Sequence, residues 1–265
     1  MGSASRTALT QSKAALKALG TKANLALGEQ LFAAGRALGE SAQLRAVLSD
    51  PAVAPAAKTK LLSGVFGKGL DATGSKMLAQ IVAERWSNQD DLLAGLEELG
   101  IRSVANSAAK TVSIQDELFG FARAVSSDDE LELALGSKLG DPQAKAKLVA
   151  KLLKGKASAQ TISIISALVQ QPRGRRIGAL LSEAADVVAD QAGSSVATVT
   201  AASELSAAQL KILAASLKKV HGRELSINLV IDPSIIGGLR VQVGDDVVDG
   251  TVSTRISDLR LQLAG

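Results

Sequence analysis

The chain carries one segment twice. Shifting the 265-residue sequence against itself by 87 positions brings Leu31-Phe32 onto Leu118-Phe119, Arg36-Ala37 onto Arg123-Ala124, and Leu44 and Leu48 onto Leu131 and Leu135. Pro55, Ala57, Lys58, Lys60 and Leu61 fall on Pro142, Ala144, Lys145, Lys147 and Leu148 in the same register, and Val82 and Leu93 then meet Val169 and Leu180. The ungapped comparison over residues 31 to 93 holds 14 identities, against roughly five expected by chance in a chain this rich in Ala and Leu, so the segments are copies. Two copies are too few for a solenoid. The repeat therefore predicts two related bundles.

The shared positions have helical spacing. Leu31, Ala34 and Leu38 lie on one face in the first copy, as do Leu118, Phe121 and Val125 in the second. Asp50-Pro51 and Asp141-Pro142 are each expected to stop a helix, because Pro cannot donate a hydrogen bond and disfavours α geometry in the residue before it. The basic stretches Lys58 to Phe66 and Lys145 to Leu153 resume the period, with Gly67-Lys68-Gly69 and Gly155-Lys156 as joints. Apolar residues make up 46% of the chain, yet it has no Tyr, one Trp and four Phe. Its core must come from Ala, Leu, Val and Ile, which suits closely packed helices. At the N-terminus Arg6, Lys13, Lys17 and Lys22, with no acid before Glu29, superficially resemble a transit peptide. Ala8, Leu9, Ala15, Leu16 and Leu19 read instead as an ordinary amphipathic helix. Arg6 also stands where a myristoylation signal needs Ser or Thr.

Beyond Gln191-Ala192-Gly193 the pattern changes. Val196, Thr198 and Thr200 alternate with Ala197, Val199 and Ala201, a β-branched run suited to a strand. Ser206 and Gln209 form a capping box ahead of Leu210, Leu213, Leu217 and Val220, with Gly222 placed to end the helix. Leu225, Ile227, Leu229 and Ile231 alternate with Ser226, Asn228 and Val230, Asp232-Pro233 turns the chain, and Leu239, Val241 and Val243 alternate again before Gly244-Asp245. A short strand ends at Asp249-Gly250, and Val252, Ile256, Leu259 and Leu263 mark one face of a closing helix. The expected fold class is mainly α, with two tandem related helical bundles followed by a small α/β C-terminal domain. The expected boundaries are residues 1–105, 106–192 and 193–265, the second bundle repeating the first at an offset of 87.

The residues offer little chemistry. Without Cys there is no disulfide, thiolate nucleophile or Cys-ligated metal, and a cytosolic setting is the default. No apolar run reaches the roughly eighteen residues of a membrane-spanning helix. Gly69 to Lys76 imitates a phosphate-binding loop, but Ser75-Lys76 reverses the order the motif requires and the second copy, Ala157 to Ser163, keeps none of the glycines. His221 is the only histidine and stands at a helix end, where it interacts favourably with the helix dipole. The acidic clusters Asp90-Asp91, Glu97-Glu98, Asp128-Asp129-Glu130 and Asp245-Asp246 read as solvated faces and turns. A net charge of +4 suits an anionic partner. Arg173 to Arg176, Lys218-Lys219 with Arg223, and Lys145, Lys147, Lys151, Lys154 and Lys156 could track phosphates, but aromatics for base stacking are nearly absent. No catalytic, cofactor-binding or metal-ligating residue is expected.

The run Val230-Ile231-Asp232-Pro233-Ser234-Ile235-Ile236-Gly237-Gly238-Leu239, followed by an alternating strand, Asp249-Gly250 and a segment with Arg255 and Leu259, resembles the signature of the delta subunit of F-type ATP synthases. The mitochondrial relative in that family is the oligomycin-sensitivity-conferring protein. Leu31-Phe32 with Leu44, Asp50-Pro51 and Lys58 to Leu62 is similar to the family's helical domain, which the usual member carries once. The duplicated form resembles the actinobacterial branch. The resemblance implies a non-catalytic stator, or peripheral-stalk, subunit of a proton-translocating enzyme. Its helical domain would hold N-terminal segments of the alpha subunits and its C-terminal part would join the b subunits, so that the catalytic head does not turn with the rotor. It would be part of a large hetero-oligomer at the cytoplasmic face of the bacterial plasma membrane, reaching the membrane only through the complex, and would bind neither cofactor nor nucleic acid. Asp232, Pro233, Gly237, Gly238, Asp249 and Gly250 are the family-motif positions, expected to determine the fold. Gln43, Arg45 and Trp86 of the first copy correspond to Glu130, Glu132 and Arg173 of the second, so the extra bundle is read as a longer reach between head and stalk. The alternative is a helical adaptor that binds nucleic acid or another anionic partner through Arg173 to Arg176.

Overall fold

The computed structural model describes residues 1–252 except Lys68, Lys110, Lys138, Leu139, Ser194, Arg223, Glu224, Gly244 and Asp245. The expected closing helix beyond Val252, with Arg255 and Leu259, lies outside the described residues, as does Gly244-Asp245. The described residues fall into two compact units, divided between Val188 and Ala189.

The first unit is helical. α1 (Ser3–Ala18) is followed by a short 3-10 turn at Gly20–Lys22, α2 (Leu25–Glu40), α3 (Ala42–Ser49), α4 (Pro55–Phe66), α5 (Ala72–Ala83) and α6 (Gln89–Asn106). The second copy supplies α7 (Ile114–Ser126), α8 (Asp129–Gly136), α9 (Pro142–Leu153), α10 (Ala159–Gln170) and α11 (Ile177–Gln191). At the offset of 87 residues α3, α4 and α5 coincide end for end with α8, α9 and α10, and α2 and α6 correspond to α7 and α11. The sequence period thus reproduces itself as a structural period. Side-chain oxygens of Asn24, Ser41, Asp71 and Asn88 cap α2, α3, α5 and α6, and those of Ser113, Asp128, Asp141 and Ser158 cap α7 to α10. Each accepts from an N–H that has no partner inside its own helix.

α6 belongs to both copies. As the last helix of the first it packs along α2, and Leu92, Leu93, Leu96 and Leu99 join the core that includes Leu27, Leu31, Leu38, Leu78 and Ile81. The same offset also lays α1 on α6. The buried residues of α1, Ser5, Ala8, Leu9, Ser12 and Leu16, correspond to Leu92, Gly95, Leu96, Leu99 and Ser103, all of them buried. α6 packs on α10 much as α1 packs on α5, and α10 also touches α2. A helix flanked on several sides must be apolar or small around most of its circumference, and ten residues of α6 between Leu92 and Val104 are buried.

Glycine makes the α2–α6 contact possible. A Cβ on Gly28 would stand 2.8 Å from the Gly100 carbonyl oxygen and 2.4 Å from Val104, and a Cβ on Gly100 would stand 2.5 Å from the Phe32 ring. The two backbones approach as closely as they do only because both positions lack a side chain.

Two prolines of the expected pair of helix stops behave differently. α3 ends at Ser49 and Asp50-Pro51 follows as a stop. α8 ends earlier, at Gly136, and Asp141-Pro142 begins α9, with Asp141 accepting from Gln143 and Ala144 and Pro142 in the first turn. Pro is tolerated there because an N–H at that position would have no intrahelical acceptor. Its true counterpart is Pro55, which opens α4. The N-terminal segment is the amphipathic helix expected, with Ala8, Leu9 and Leu16 buried and Ala15 and Leu19 packed on the core.

The second unit holds a four-stranded sheet of order β2-β1-β3-β4. β1 (Ser195–Ala201) is parallel to β2 (Leu225–Ile231) through the crossover helix α12 (Ala207–His221), and antiparallel to β3 (Leu239–Val243), which pairs antiparallel with β4 (Asp246–Asp249). Both halves of the expected capping box form: the Ser206 N–H donates to Gln209 Oε1 at 2.8 Å, and the Gln209 N–H donates to Ser206 Oγ at 3.3 Å. Gly222 ends α12 at φ +69°, in the left-handed region that favours glycine. Ala197, Leu217 and Val243 form the core with Leu213, Leu225, Ile227 and Val241 around them.

Gly28→Ala should destabilise the helical unit by about 1–3 kcal/mol through overpacking. Gly120→Ala, where a Cβ would meet nothing within 4 Å, should stabilise it by up to about 1 kcal/mol. Thermal denaturation of the two variants checks the pair, and equal melting temperatures would contradict the close contact.

Candidate functional site

Polar groups in the helical unit are spent on holding helices together, and the repeat shows the rule behind them. Gln30 of α2 accepts from the Asp71 N–H at the start of α5 at 3.2 Å. Glu117 of α7, its counterpart, accepts from the Ser158 N–H at the start of α10 at 3.0 Å, from Ser158 Oγ at 2.6 Å and from Thr161 Oγ1. The two copies distribute charge oppositely. In the first, the cap Asp71 is the carboxylate and its neighbour Gln30 is neutral; in the second, the cap Ser158 is neutral and its neighbour Glu117 is the carboxylate. Each helix start therefore receives one negative charge, which the helix dipole favours. Two carboxylates converging on one N-terminus would repel one another.

The carboxyl groups respond accordingly. The hydrogen bond from the Gly74 N–H is the largest influence on Asp71 and holds its pKa below the ordinary carboxylate value. Burial would raise Glu117, but the hydrogen bonds from Ser158 and Thr161 outweigh it and its pKa is lowered. A carboxylate depressed on folding contributes stability above its unfolded value and loses it as pH falls through the lower folded value.

Two lysines of the basic stretches that resume the helical period, one of them also read as able to track phosphates, are inside the protein. Lys58 is 3% exposed and donates through Nζ to the Val82 carbonyl at 2.9 Å. Lys145, its repeat partner, is 7% exposed and donates to the Ser137 carbonyl. Burial lowers the Lys58 pKa, with the Asp50 charge opposing. Their identity at the repeat offset was visible in the sequence, whereas their burial was not, because a lysine on a basic helix looks like surface.

Glu97 and Glu98 correct the expectation of solvated acids. Glu97 accepts from Arg173 Nη2 at 2.9 Å and from Arg175 Nη2 at 2.8 and 2.9 Å, with side chains only 16–22% exposed. Arg175 also pairs with Glu183. Glu98 pairs with Lys13 at 2.7 Å and Arg102 at 2.8 Å. Asp91 accepts from Ser5 Oγ at 2.6 Å, binding α1 to α6. Asp129 and Glu130, by contrast, are exposed as expected. Arg173 and Arg175 thus clasp the segment before α11 to α6, and Gln171 Nε2 adds a bond to the Gly35 carbonyl at 3.1 Å.

The other sequence candidates fall into structural places. Asp71 Oδ1 accepts from the Gly74 N–H at 2.7 Å, so the phosphate-loop mimic has its own carboxylate where a phosphate would sit. His221 is the last residue of α12. Among the described residues no group of three His, Cys, Asp or Glu side chains is placed to hold a metal ion, and no helix is long and apolar enough to cross a membrane.

The family-motif residues meet at one end of the small sheet. Asp232 follows β2, and its N–H donates to the Ala201 carbonyl at 2.8 Å. Its Oδ1 accepts from the Ser234 N–H at 2.9 Å and Ser234 Oγ at 2.7 Å, which lowers the pKa. Pro233 continues this turn. Gly237 and Gly238 have φ of +71° and +85°, and a Cβ on Gly238 would stand 2.5 Å from the Gly250 carbonyl oxygen. The Gly250 N–H donates to the Leu239 carbonyl at 2.9 Å, and the Thr251 N–H donates to Asp249 Oδ1 at 3.0 Å. Residues far apart in sequence therefore close one knot of backbone, and the second glycine is required by contact as well as by φ.

Comparison with known proteins places the chain in a family. Residues 101–263 match the family model described as ATP synthase delta (OSCP) subunit. The ATP synthase subunit delta of Leifsonia xyli subsp. xyli is 57% identical over 265 residues, covering 100% of both chains. That of Streptomyces coelicolor is 37% identical over 270 residues, covering 100% of this chain and 98% of the relative. A chain of the cryo-EM structure of the Toxoplasma gondii mitochondrial ATP synthase hexamer overlays with a TM-score of 0.43 at 19% identity, over 64% of this chain and 96% of that one. The protein belongs to the ATP synthase delta (OSCP) family, and so to the structural subunits of a hetero-oligomeric ATP synthase. The family match starts at residue 101, within α6, and takes in the second copy and the small sheet.

Glu117→Gln should cost about 1.5–3 kcal/mol at neutral pH, the range for a hydrogen bond to a charged group. It should also flatten the loss of stability below pH 4.5, the ordinary value from which Glu117 is lowered. Combining it with Ser158→Asp should restore much of the loss by copying the arrangement of the first bundle; denaturant titrations across pH test both. Because Arg173 and Arg175 are already paired, titration with duplex DNA or RNA at low salt should be flat.

Proposed function

We propose that the protein is the non-catalytic stator subunit of a proton-translocating F-type ATP synthase. It links the N-terminal segments of the alpha subunits to the b-subunit stalk so that the catalytic head does not co-rotate. The observation that carries this reading is the full-length similarity to delta subunits, spanning both helical copies and the small sheet. The physical character of the chain supports it. Glu117, Lys58, Lys145 and Glu97 are matched to a helix start, to carbonyls and to opposite charges, which resists deformation, as a static element under torque requires. Helix-in-groove contact, which needs no reacting side chain, is the natural mode of attachment for such bundles.

In this reading the protein has no catalytic activity of its own and lies on the cytoplasmic face of the plasma membrane, peripheral and held there by the complex. Residues 1–105, 106–192 and 193–265 act as two helical segments and a sheet segment, with α6 counted in both helical ones. The second copy, contiguous with the sheet in the family match, is the family's ordinary helical domain and the first is the addition. Asp232, Pro233, Gly237, Gly238, Asp249 and Gly250 serve the fold and not a partner, since their polar groups are used within the knot.

Membranes from cells lacking the protein should retain ATP hydrolysis by the catalytic head but lose proton-driven ATP synthesis, which purified protein restores. Isolation from solubilised membranes should bring down alpha and b together, and the isolated chain should hydrolyse no ATP. Normal proton-driven synthesis in its absence would overturn the assignment.

A further inference from the structure

One repeated arginine sits in two different surroundings. Arg36 and Arg123 coincide at the repeat offset, yet Arg123 is exposed while Arg36 is half-buried. Arg36 stands where the second copy meets the first. There the end of α2, the start of α6 and the end of α10 with the segment after it enclose a crevice of about 600 Å³. Arg36, Arg45 and Arg173 line it, with Glu40 and Asp90 as its acids. At the offset of 87 residues Arg45, Glu40 and Asp90 become Glu132, Ser127 and Ile177, so the second copy has no equivalent set.

The three guanidinium groups are incompletely matched. The Arg36 side chain makes no hydrogen bond or ion pair among the described residues, and burial lowers its pKa from the ordinary value, with the Glu40 charge opposing. Arg45 is anchored by neutral groups, donating to the Leu38 and Gly39 carbonyls through Nη1 and to Gln89 Oε1 through Nε. Arg173 gives Nη2 to Glu97, which Arg175 shares. Its Nε is buried without a partner, as is Oε1 of neighbouring Gln170, although buried polar atoms are normally paired. Arg173 is also the one described residue other than glycine with a positive φ, at +49°, a conformation that persists only where the surroundings fix it. Glu40 and Asp90 are exposed, so water screens them more than it screens the half-buried arginines. The crevice is positive inside and acidic at its rim.

We propose that this crevice between the two copies binds a small phosphate-class oxyanion that also carries a hydroxyl, its oxygens held by Arg36, Arg45 and Arg173 and its hydroxyl by Glu40 or Asp90. Guanidinium forks match phosphate oxygens with paired, charge-assisted hydrogen bonds. Hydrogen phosphate has a hydroxyl to donate to a rim carboxylate. Sulfate has no proton at neutral pH and would meet those carboxylates acceptor against acceptor. The volume suits a small ligand, and no aromatic side chain lines the crevice for a nucleobase to stack on. Both copies contribute to the site, so its occupant ties them together and stabilises the helical unit. The site requires the duplication and is independent of the stator reading.

The test titrates the full-length protein with inorganic phosphate at neutral pH, by calorimetry and thermal denaturation, against sulfate and chloride at matched ionic strength. Phosphate should bind as one anion per chain and raise the melting temperature, and sulfate should bind roughly tenfold more weakly or worse. Arg36→Gln should weaken phosphate binding roughly tenfold or more, without loss of thermal stability in chloride, because Arg36 bonds to nothing in the fold. Arg123→Gln, the same change at the exposed counterpart, should leave binding as it was. Glu40→Gln with Asp90→Asn should narrow the gap between phosphate and sulfate. Glycerol phosphate separates two sources of the group: tighter binding than inorganic phosphate assigns the site to a phosphorylated metabolite, and weaker binding assigns it to the free ion. An equal response to phosphate and sulfate, no response beyond that to chloride, or equal losses from Arg36→Gln and Arg123→Gln would overturn the proposal. The comparison of phosphate with sulfate uses only the native chain, so it decides the matter even if a variant fails to fold.

Discussion

The close approach of α2 and α6 sets the rest of the helical unit in place. At Gly28 and Gly100 there is no room for a methyl group, so Phe32 and Val104 can pack across the contact and α6 is drawn into the centre. Once central, α6 presents other faces to α1 and α10, and the second copy grows from it without a first helix of its own. That economy explains why α6 is buried around so much of its circumference, and why Glu97 and Glu98, polar residues on a central helix, need Arg173, Arg175, Lys13 and Arg102 as partners. A partly buried carboxylate without such a partner would be costly. A tandem pair of bundles joined by a flexible linker would bend there, whereas here α10 of the second copy packs on both α6 and α2. This fits a family whose members belong to a rotary machine.

Charge placement follows a rule that survives divergence. Gln30 with Asp71 and Glu117 with Ser158 are different residues doing the same electrostatic work, each pair bringing one carboxylate to a helix start. Lys58 and Lys145 keep their identity and each satisfies a carbonyl from inside the unit. Elsewhere the copies differ: the exposed Ala42 and Gln43 of α3 correspond to the exposed Asp129 and Glu130 of α8, and Arg45, bonded to the Leu38 and Gly39 carbonyls, corresponds to the exposed Glu132.

The small sheet unit uses backbone conformation instead of charge. Gly237 and Gly238 allow the chain to leave Asp232 and return beneath Gly250, so that β3 enters the sheet beside β1. The motif that carried the family resemblance is therefore a description of this knot. Its residues cluster because a reversal with two left-handed positions and a contact of 2.5 Å for any added Cβ leaves few alternatives.

The repeat, the helical period, the capping box of α12, the strand order along the chain and the family motif were legible in the residues, because identity at a fixed offset, apolar spacing and turn chemistry are local properties. Those signals also carried the family assignment. Other features were not legible. Pro142 reads equally as the stop of one helix or the first turn of the next, and only the actual end of α8 distinguishes them. Glu97, Arg173 and Arg175 look like solvated charge until α6 and the segment before α11 are brought together, and Lys58 looks like surface until Val82 lies over it. The sequence by itself determined that one helical unit occurs twice before a small α/β segment. Only the tertiary structure decided that α6 serves both copies and which charges lie inside, because burial depends on which face of a helix meets a neighbour distant in the chain.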